Sequence, residues 1–303
     1  MTAQSPEQSA EWIENLARQF LSGPANDAEW PGGPEPAYDE PLFGYAAGDD
    51  PLWPTFRDSV DPGHWTPAEA FLLAYPDEKN VSAKELSVVS WVLPQTEATR
   101  RDQRAASGFP SERWIRNRFR AQPRVNDGLA EFLLKNLQAA GIQALVPDFR
   151  PEWETVASER FQISSRWSHR HAAFAAGLGT FGLSDGLITP AGKAMRTGSM
   201  IVRLKLPATE RTYRRPYEYC LFYNSGTCGK CIKRCPCGAI GPDGHDKAKC
   251  RSFLYETVQS GLAGLWPDLT GAYGCGLCQA GVPCENRIPP RPPSPERFFK
   301  GTA

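Results

Sequence analysis

All nine cysteines of this 303-residue chain lie between Cys220 and Cys284, and there its chemistry is most legible. One group is Cys228-x2-Cys231-x3-Cys235-Pro236, with Cys220 ahead of it. A second is Cys275-x2-Cys278 with Cys284 six residues on, and Cys250 stands between the groups. Thiolates are soft ligands, suited to zinc or to iron–sulfur clusters. The opening residues, MTAQSPEQSAEWIENLARQF, show no basic n-region, apolar h-region or twin-arginine pair. No apolar run approaches the ~20 residues that span a bilayer. The expectation is a cytoplasmic chain without a membrane partner. Thiols there stay reduced, so metal or redox chemistry is expected rather than a disulfide framework.

Each [4Fe–4S] cube needs four thiolates, and close spacings supply two or three while a distant cysteine closes the cage. Bacterial-type ferredoxins use a C-x2-C-x2-C-x3-C-P run whose cysteine before proline ligates the other cluster. Here the first member of that run is Ser225, and Cys220 is expected to loop back in its place. Eight cysteines then make two cages: Cys220, Cys228, Cys231 and Cys284 for one, and Cys235, Cys250, Cys275 and Cys278 for the other. Cys237 is left as a small buried thiol. The competing reading is zinc, in a zinc-stabilised interaction protein. Ribbon knuckles usually sit ~15–20 residues apart. The gap here is longer, and the Cys-Pro pair and the set of eight favour iron–sulfur.

Something must position these thiols. Apolar residues at 41% and charged residues at 22% are enough for a buried core, and Gly 27 with Pro 28 falls short of low complexity. Lys+Arg 34 against Asp+Glu 34 leaves no net charge, so nucleic acid is not an expected partner. Residues 1–75 are read as a helix (Trp12, Ile13, Leu16, Phe20 on one face) followed by an irregular aromatic and proline-rich wrap from Gly23 to about Pro67. Residues 76–210 read as α/β. Leu86–Leu93 is a strand ended by Pro94, Arg124–Ala140 a helix closed by Gly141, Ile142–Val146 a second strand, and Met200–Leu206 a third. Strand, helix, strand implies a right-handed crossover if the two strands pair in parallel. Residues 211–303 carry the cysteines in short loops that need a metal to hold them. The run Pro289–Pro295 is expected to form a surface strap.

Upstream, Ser168–Ala176 suits a short helix ended by Gly177. Beyond it, glycines recur at Gly179, Gly182, Gly186, Gly192 and Gly198 among Thr180, Ser184, Thr189, Thr197 and Ser199. Such a loop offers N–H and hydroxyl groups to a cofactor's side arms.

The stretch GTCGKCIKRCPCGAI, then Lys249–Glu256, then Gly274–Gln279, resembles the ferredoxin part of epoxyqueuosine reductases. His171–Gly182 resembles a signature shared by those enzymes and reductive dehalogenases. The likeness covers roughly residues 80–290. It implies a nitroreductase-like α+β cobalamin-binding domain followed by a small bacterial-ferredoxin-like domain. Two [4Fe–4S] clusters would feed electrons to cobalamin, held near Gly179, Thr180, Phe181, Gly182, Leu183, Ser184, Thr189, Gly198 and Ser199. The cofactor is expected base-off, since Asp243-Gly244-His245 begins like a D-x-H-x-x-G motif but meets Ala248.

Three departures bear on function. The family's catalytic Asp is absent where Ile163–Trp167 stands, the helical-repeat extension toward tRNA is missing, and there is no basic excess. The resemblance therefore implies a cobalamin-dependent reductase cleaving a small organic substrate, with ferredoxin or flavodoxin as electron donor. A soluble electron-transfer or cobalamin-carrying protein without turnover is the alternative. The replacement acid is expected to be His171, then His169. Arg170 between them is too basic for that role and is expected to hold an anionic substrate. His64 is expected to be structural.

Overall fold

The strand Ser87–Pro94 is buried along its whole length, and the chain folds around it. The computed structural model describes residues 9–158 and 162–290; the prolines expected to form a strap lie in part outside the described residues. Ser87–Pro94 pairs antiparallel with Leu42–Ala47 on one side and with Met195–Val202 on the other. The short strand Ala144–Leu145 completes a four-stranded sheet beyond Met195–Val202.

This corrects the expected crossover. The strands before and after the helix Gly128–Ala139 run parallel but do not touch, because Met195–Val202 inserts between them and pairs antiparallel with both. The third strand also begins earlier than expected, at Met195 rather than Met200.

Both faces of the sheet are covered, because side chains of a strand alternate sides. Val89, Trp91, Leu93, Met200 and Val202 pack with the helices Ala10–Ser22 and Gly128–Ala139. Val88, Val92 and Ile201 pack on the other face with residues of Leu52–Ser59, Pro67–Ala74 and His169–Ala175. Ser9 caps the first helix by accepting from Trp12 N at 3.1 Å, and Ile13, Ala17 and Leu21 form its buried stripe. Gly128–Ala139 continues from a widened π-type turn, Asn117–Asp127, that accommodates Pro123. Gly141 beyond it takes the left-handed conformation, φ +75°.

The expected irregular wrap holds two regular elements within otherwise irregular chain. Phe43 and Tyr45 belong to the edge strand Leu42–Ala47, and Trp53 and Phe56 are the buried residues of helix Leu52–Ser59. Prolines and glycines between these short elements hide their periodicity in the sequence.

The cysteine-bearing stretch consists of short helices, among them Leu221–Ser225, Lys230–Arg234 and Lys247–Ser252. Its own apolar core is small: Val258, Leu262, Leu269 and Ala272 gather around Ile115. Polar contacts fasten it to the helices Glu97–Ala105 and Glu112–Arg116. Gln103 donates to the Cys275 carbonyl at 2.6 Å, and Arg116 holds both oxygens of Asp268 at 2.6 and 3.1 Å.

Candidate functional site

All nine cysteines are free thiols, and the fold divides eight of them between two cavities. Cys220, Cys228, Cys231 and Cys284 line one of about 370 Å³, together with Leu183, Ile188 and Lys193. Cys235, Cys250, Cys275 and Cys278 line the other, of about 890 Å³, and Cys237 lies with them. Cys235 Sγ is 3.8 Å from Cys237 Sγ and accepts from Ala239 N at 3.2 Å. A zinc ion would draw its sulfurs to about 2.3 Å. Among the described residues no three Cys, His, Asp or Glu side chains converge on such a single-ion site.

Local backbone chemistry sets these positions. Gly276 sits at φ +64° in the Cys275–Cys278 turn, and a Cβ there would lie 2.0 Å from the Trp114 indole. The Cys284 loop is zipped to the glycine-rich loop by Lys193 N donating to Cys284 O at 2.8 Å and Ala194 N to Glu285 O at 2.9 Å. The Glu285 carboxylate, buried, is held by Arg104 and by Gly281 N at 2.6 Å. Burial pushes several thiols up, Cys284 to about 11 and Cys250 to about 12. They are therefore protonated near neutral pH until a metal displaces the proton.

A third cavity, of about 960 Å³, adjoins the second cysteine set. It shares Arg118, Arg170, Gly186, Arg196 and Gln279 with that set's cavity, and Trp153, Trp167 and His169 form other parts of its wall. A fourth, of about 1630 Å³, lies on the other side of Arg170 and is lined by Phe56, His171, Phe174, Phe181 and Tyr217 among others.

The residues expected to meet a cofactor are spread over these spaces. Gly182 and Leu183 line the first cysteine cavity, Ser184 the second, and Phe181 the fourth. Gly179, Thr180, Thr189, Gly198 and Ser199 line none of the four, and the protein gives each another task. A Cβ at Gly179 would lie 2.2 Å from Ile188 O, and one at Gly198 would lie 2.3 Å from the Trp91 ring opposite it in register. Thr180 Oγ1 accepts from Tyr219 N at 2.9 Å, and Thr189 Oγ1 donates to Gly192 O at 2.8 Å. Ser199 Oγ accepts from Trp167 Nε1 at 3.0 Å and lies 2.8 Å from His169 Nδ1.

Ser168 caps the helix His169–Ala175, and the i, i+2 spacing sends its two histidines to different cavities. His171 is half-buried at the wall of the fourth cavity, with Nδ1 2.9 Å from Ser168 Oγ and its ring against Phe181 and Phe56. Burial pushes its pKa well below the ordinary value. His64, stacked on Trp167, accepts from Ser168 N through Nε2 at 3.2 Å, and burial lowers it to about 4.

His169 is held at both ring nitrogens, by Ser199 and by Asp148, whose Oδ2 is 3.0 Å from Nε2. An ionised Asp148 carboxylate can only accept, so Nε2 carries a proton toward it. Burial pushes the Asp148 carboxyl up, but the bond from His169 outweighs it and holds the group below the usual carboxylate range. Asp148 was missed in the sequence; its only local signal is a carboxylate just after the Ala144–Leu145 strand. Lys193 was missed too, a single lysine inside the glycine-rich loop. Arg170 donates to Asp185 O at 2.6 Å and borders three of the cavities.

No family model matches the chain. Over 120 residues, 38% of this chain and 29% of the relative, it is 34% identical to the epoxyqueuosine reductase of Bacillus anthracis. The match thus spans less than a third of that relative's length. Among solved structures, an epoxyqueuosine reductase with an epoxyqueuosine-modified tRNA stem loop aligns at 20% identity and TM-score 0.45, over 91% of this chain and 64% of that one. A catabolic reductive dehalogenase aligns at 16% identity and TM-score 0.48, over 91% of this chain and 37% of that one. Among the described residues no helix is long and apolar enough to cross a membrane.

Proposed function

We propose that the chain is a cobalamin-dependent iron–sulfur reductase. The observation that carries this reading is the division of the nine cysteines into one cavity lined by four and another lined by five, the second sharing a wall with the larger cavity beyond it. Four cysteines are the donor set of a [4Fe–4S] cluster, which leaves Cys237 as the spare in the second cavity. Cys220, Cys228, Cys231 and Cys284 would hold one, and Cys235, Cys250, Cys275 and Cys278 the other. Ferredoxin or flavodoxin is the proposed electron donor. Sequence likeness to a curated epoxyqueuosine reductase supports the same class.

The third cavity fits a flat, amide-bearing macrocycle. Trp153 offers an aromatic wall, while Arg118, Gln122, Arg196 and Gln279 offer polar groups around it. Gln122 Oε1 and Arg196 Nε are buried there without a partner, which a polar ligand would remedy. Cobalamin, when bound, supplies a redox-active cobalt able to cleave a substrate bond reductively. Both nitrogens of His169 are engaged, so it is not free as an axial ligand, which supports base-off binding. His169 replaces His171 as the proposed proton-handling group. It borders this cavity with Asp148 orienting its ring, whereas His171 faces the fourth cavity. Arg170 at the shared border is the proposed holder of an anionic substrate. This polar arrangement disfavours a carrier without turnover.

The substrate is either a small organic molecule or a modified base carried by RNA. Nucleic acid, not expected from the net charge, belongs among the proposed partners: a zero net charge leaves room for local contacts, and epoxyqueuosine reductase, to which the chain is similar in sequence, is seen with a modified tRNA stem loop.

Titrating the protein with hydroxocobalamin tests the cofactor. Saturable binding is expected, with no axial-nitrogen coupling in the electron paramagnetic resonance (EPR) spectrum after partial reduction. Absence of binding at high micromolar cofactor, or coupling to a histidine nitrogen, would refute it.

A further inference from the structure

We propose that Lys193 is a fixed positive charge shared by the two cysteine cavities, and that it raises the reduction potentials of both clusters. The inference rests on the cluster reading above and concerns a residue that none of the expected roles used.

Lys193 is 3% exposed. Its main chain is pinned to one set, with N donating to Cys284 O at 2.8 Å and Glu285 O at 3.0 Å. Its side chain lines the cavity of Cys220, Cys228, Cys231 and Cys284 and ends on Ser184 Oγ, to which Nζ donates at 2.5 Å. Ser184 lines the other cavity together with Cys278. Lysine and serine thus reach from one cysteine set to the other. Gly186 gives the lysine stem its room, since a Cβ there would approach Cε to 3.0 Å.

A buried ammonium is costly unless a negative group offsets it. Among the described residues no carboxylate pairs with Lys193. The groups that can offset it are cysteines of both sets, Cys220, Cys231 and Cys284 in its own cavity and Cys278 in the cavity of Ser184, which become thiolates when a cluster binds.

The charge arithmetic gives the consequence. A [4Fe–4S] cluster with four thiolates carries two negative charges when oxidised and three after accepting one electron. Two such clusters repel, and reducing one makes the other harder to reduce. A cation between them favours the reduced form of each, and more strongly in a low-dielectric interior than in water. Each electron comes from the external donor, dithionite in the test below, and no proton or bond change at Lys193 is involved.

The test compares wild type with Lys193→Met, which keeps length and burial while removing the charge. Both proteins are reconstituted anaerobically with iron and sulfide, assayed for iron, and titrated with dithionite while EPR reports each cluster. Equal iron content is expected, with both potentials lower in the variant. Unchanged potentials in a variant carrying full iron would overturn the proposal. If Lys193→Met does not load, Ser184→Ala takes its place, since it leaves the lysine but removes the hydroxyl that holds Nζ at the Cys278-side cavity. The potential of the Cys278-side cluster should then fall more than the other, and equal or absent shifts would overturn the proposal. A wild-type protein that takes up no iron would instead refute the cluster reading, so the two failures are distinguishable.

Discussion

His64, buried, and His171, half-buried, have their rings 6.4 Å apart, and burial lowers the pKa of both. In the unfolded chain each returns to an ordinary pKa of about 6.5. The unfolded state therefore binds more protons as pH falls below about 6.5, and the stability these residues contribute is lost in that direction. His64 loses it down to its folded pKa of about 4. The slope is about 1.4 kcal/mol per pH unit for each histidine. Urea unfolding of the metal-free protein at stepped pH should show this fall, and His64→Phe should remove roughly half of it. A flat profile would mean that the rings are solvated. His169 has the opposite setting, at a cavity wall with a carboxylate beside it. His169→Gln should leave metal and cobalamin content intact and lower turnover by ~10²–10⁴, the weight of a general acid–base group. Loss of cofactor instead would make the residue structural. Residues were legible where type alone speaks, as with the cysteines. Asp148 was not, because the contact that gives it meaning spans 21 residues and belongs to no motif. Gly198 was legible as a glycine but not for its reason, which is the Trp91 ring across the sheet.

Elements were readable where apolar spacing was regular. The helices Ala10–Ser22 and Gly128–Ala139 and the strand Ser87–Pro94 fall where the pattern puts them. Pairing was not readable, because nothing in the order of strands tells that Met195–Val202 enters between two earlier ones. The fastening of the cysteine loops was hidden as well. Arg234 ends the short helix Lys230–Arg234 and donates to five carbonyls. Gln103 O at 2.8 Å, Arg104 O at 3.3 Å and Ala106 O at 2.9 Å close the end of helix Glu97–Ala105. Leu277 O at 3.2 Å and Ala280 O at 3.1 Å belong to the second cysteine group. A cation there satisfies orphan carbonyls and complements the helix dipole. Arg234→Met should cost roughly 2–4 kcal/mol, since charged hydrogen bonds are lost and buried acceptors left bare. It should also speed cluster loss, read as bleaching of the visible absorption under a chelator. Retention equal to wild type would mean that the cysteine loops hold without this tie.

At the scale of the molecule, a sheet covered on both faces carries a cysteine-bearing stretch with little apolar core of its own. Its folding should be coupled to metal for that reason. The described cavities give an order in space: the Cys284-side set, the Lys193–Ser184 link, the Cys278-side set, then the cavity of His169 and Trp167. The central claim is that the two cysteine sets are two separate four-iron cages. Iron and acid-labile sulfide counted in anaerobically reconstituted protein, with EPR of the reduced state, test it most directly. Wild type should hold about eight irons per chain as two [4Fe–4S] clusters. Cys231→Ser and Cys278→Ser should each remove one cluster and leave the other, while Cys237→Ser keeps both. Stoichiometric zinc in place of iron, or four irons that both substitutions abolish together, would contradict the account.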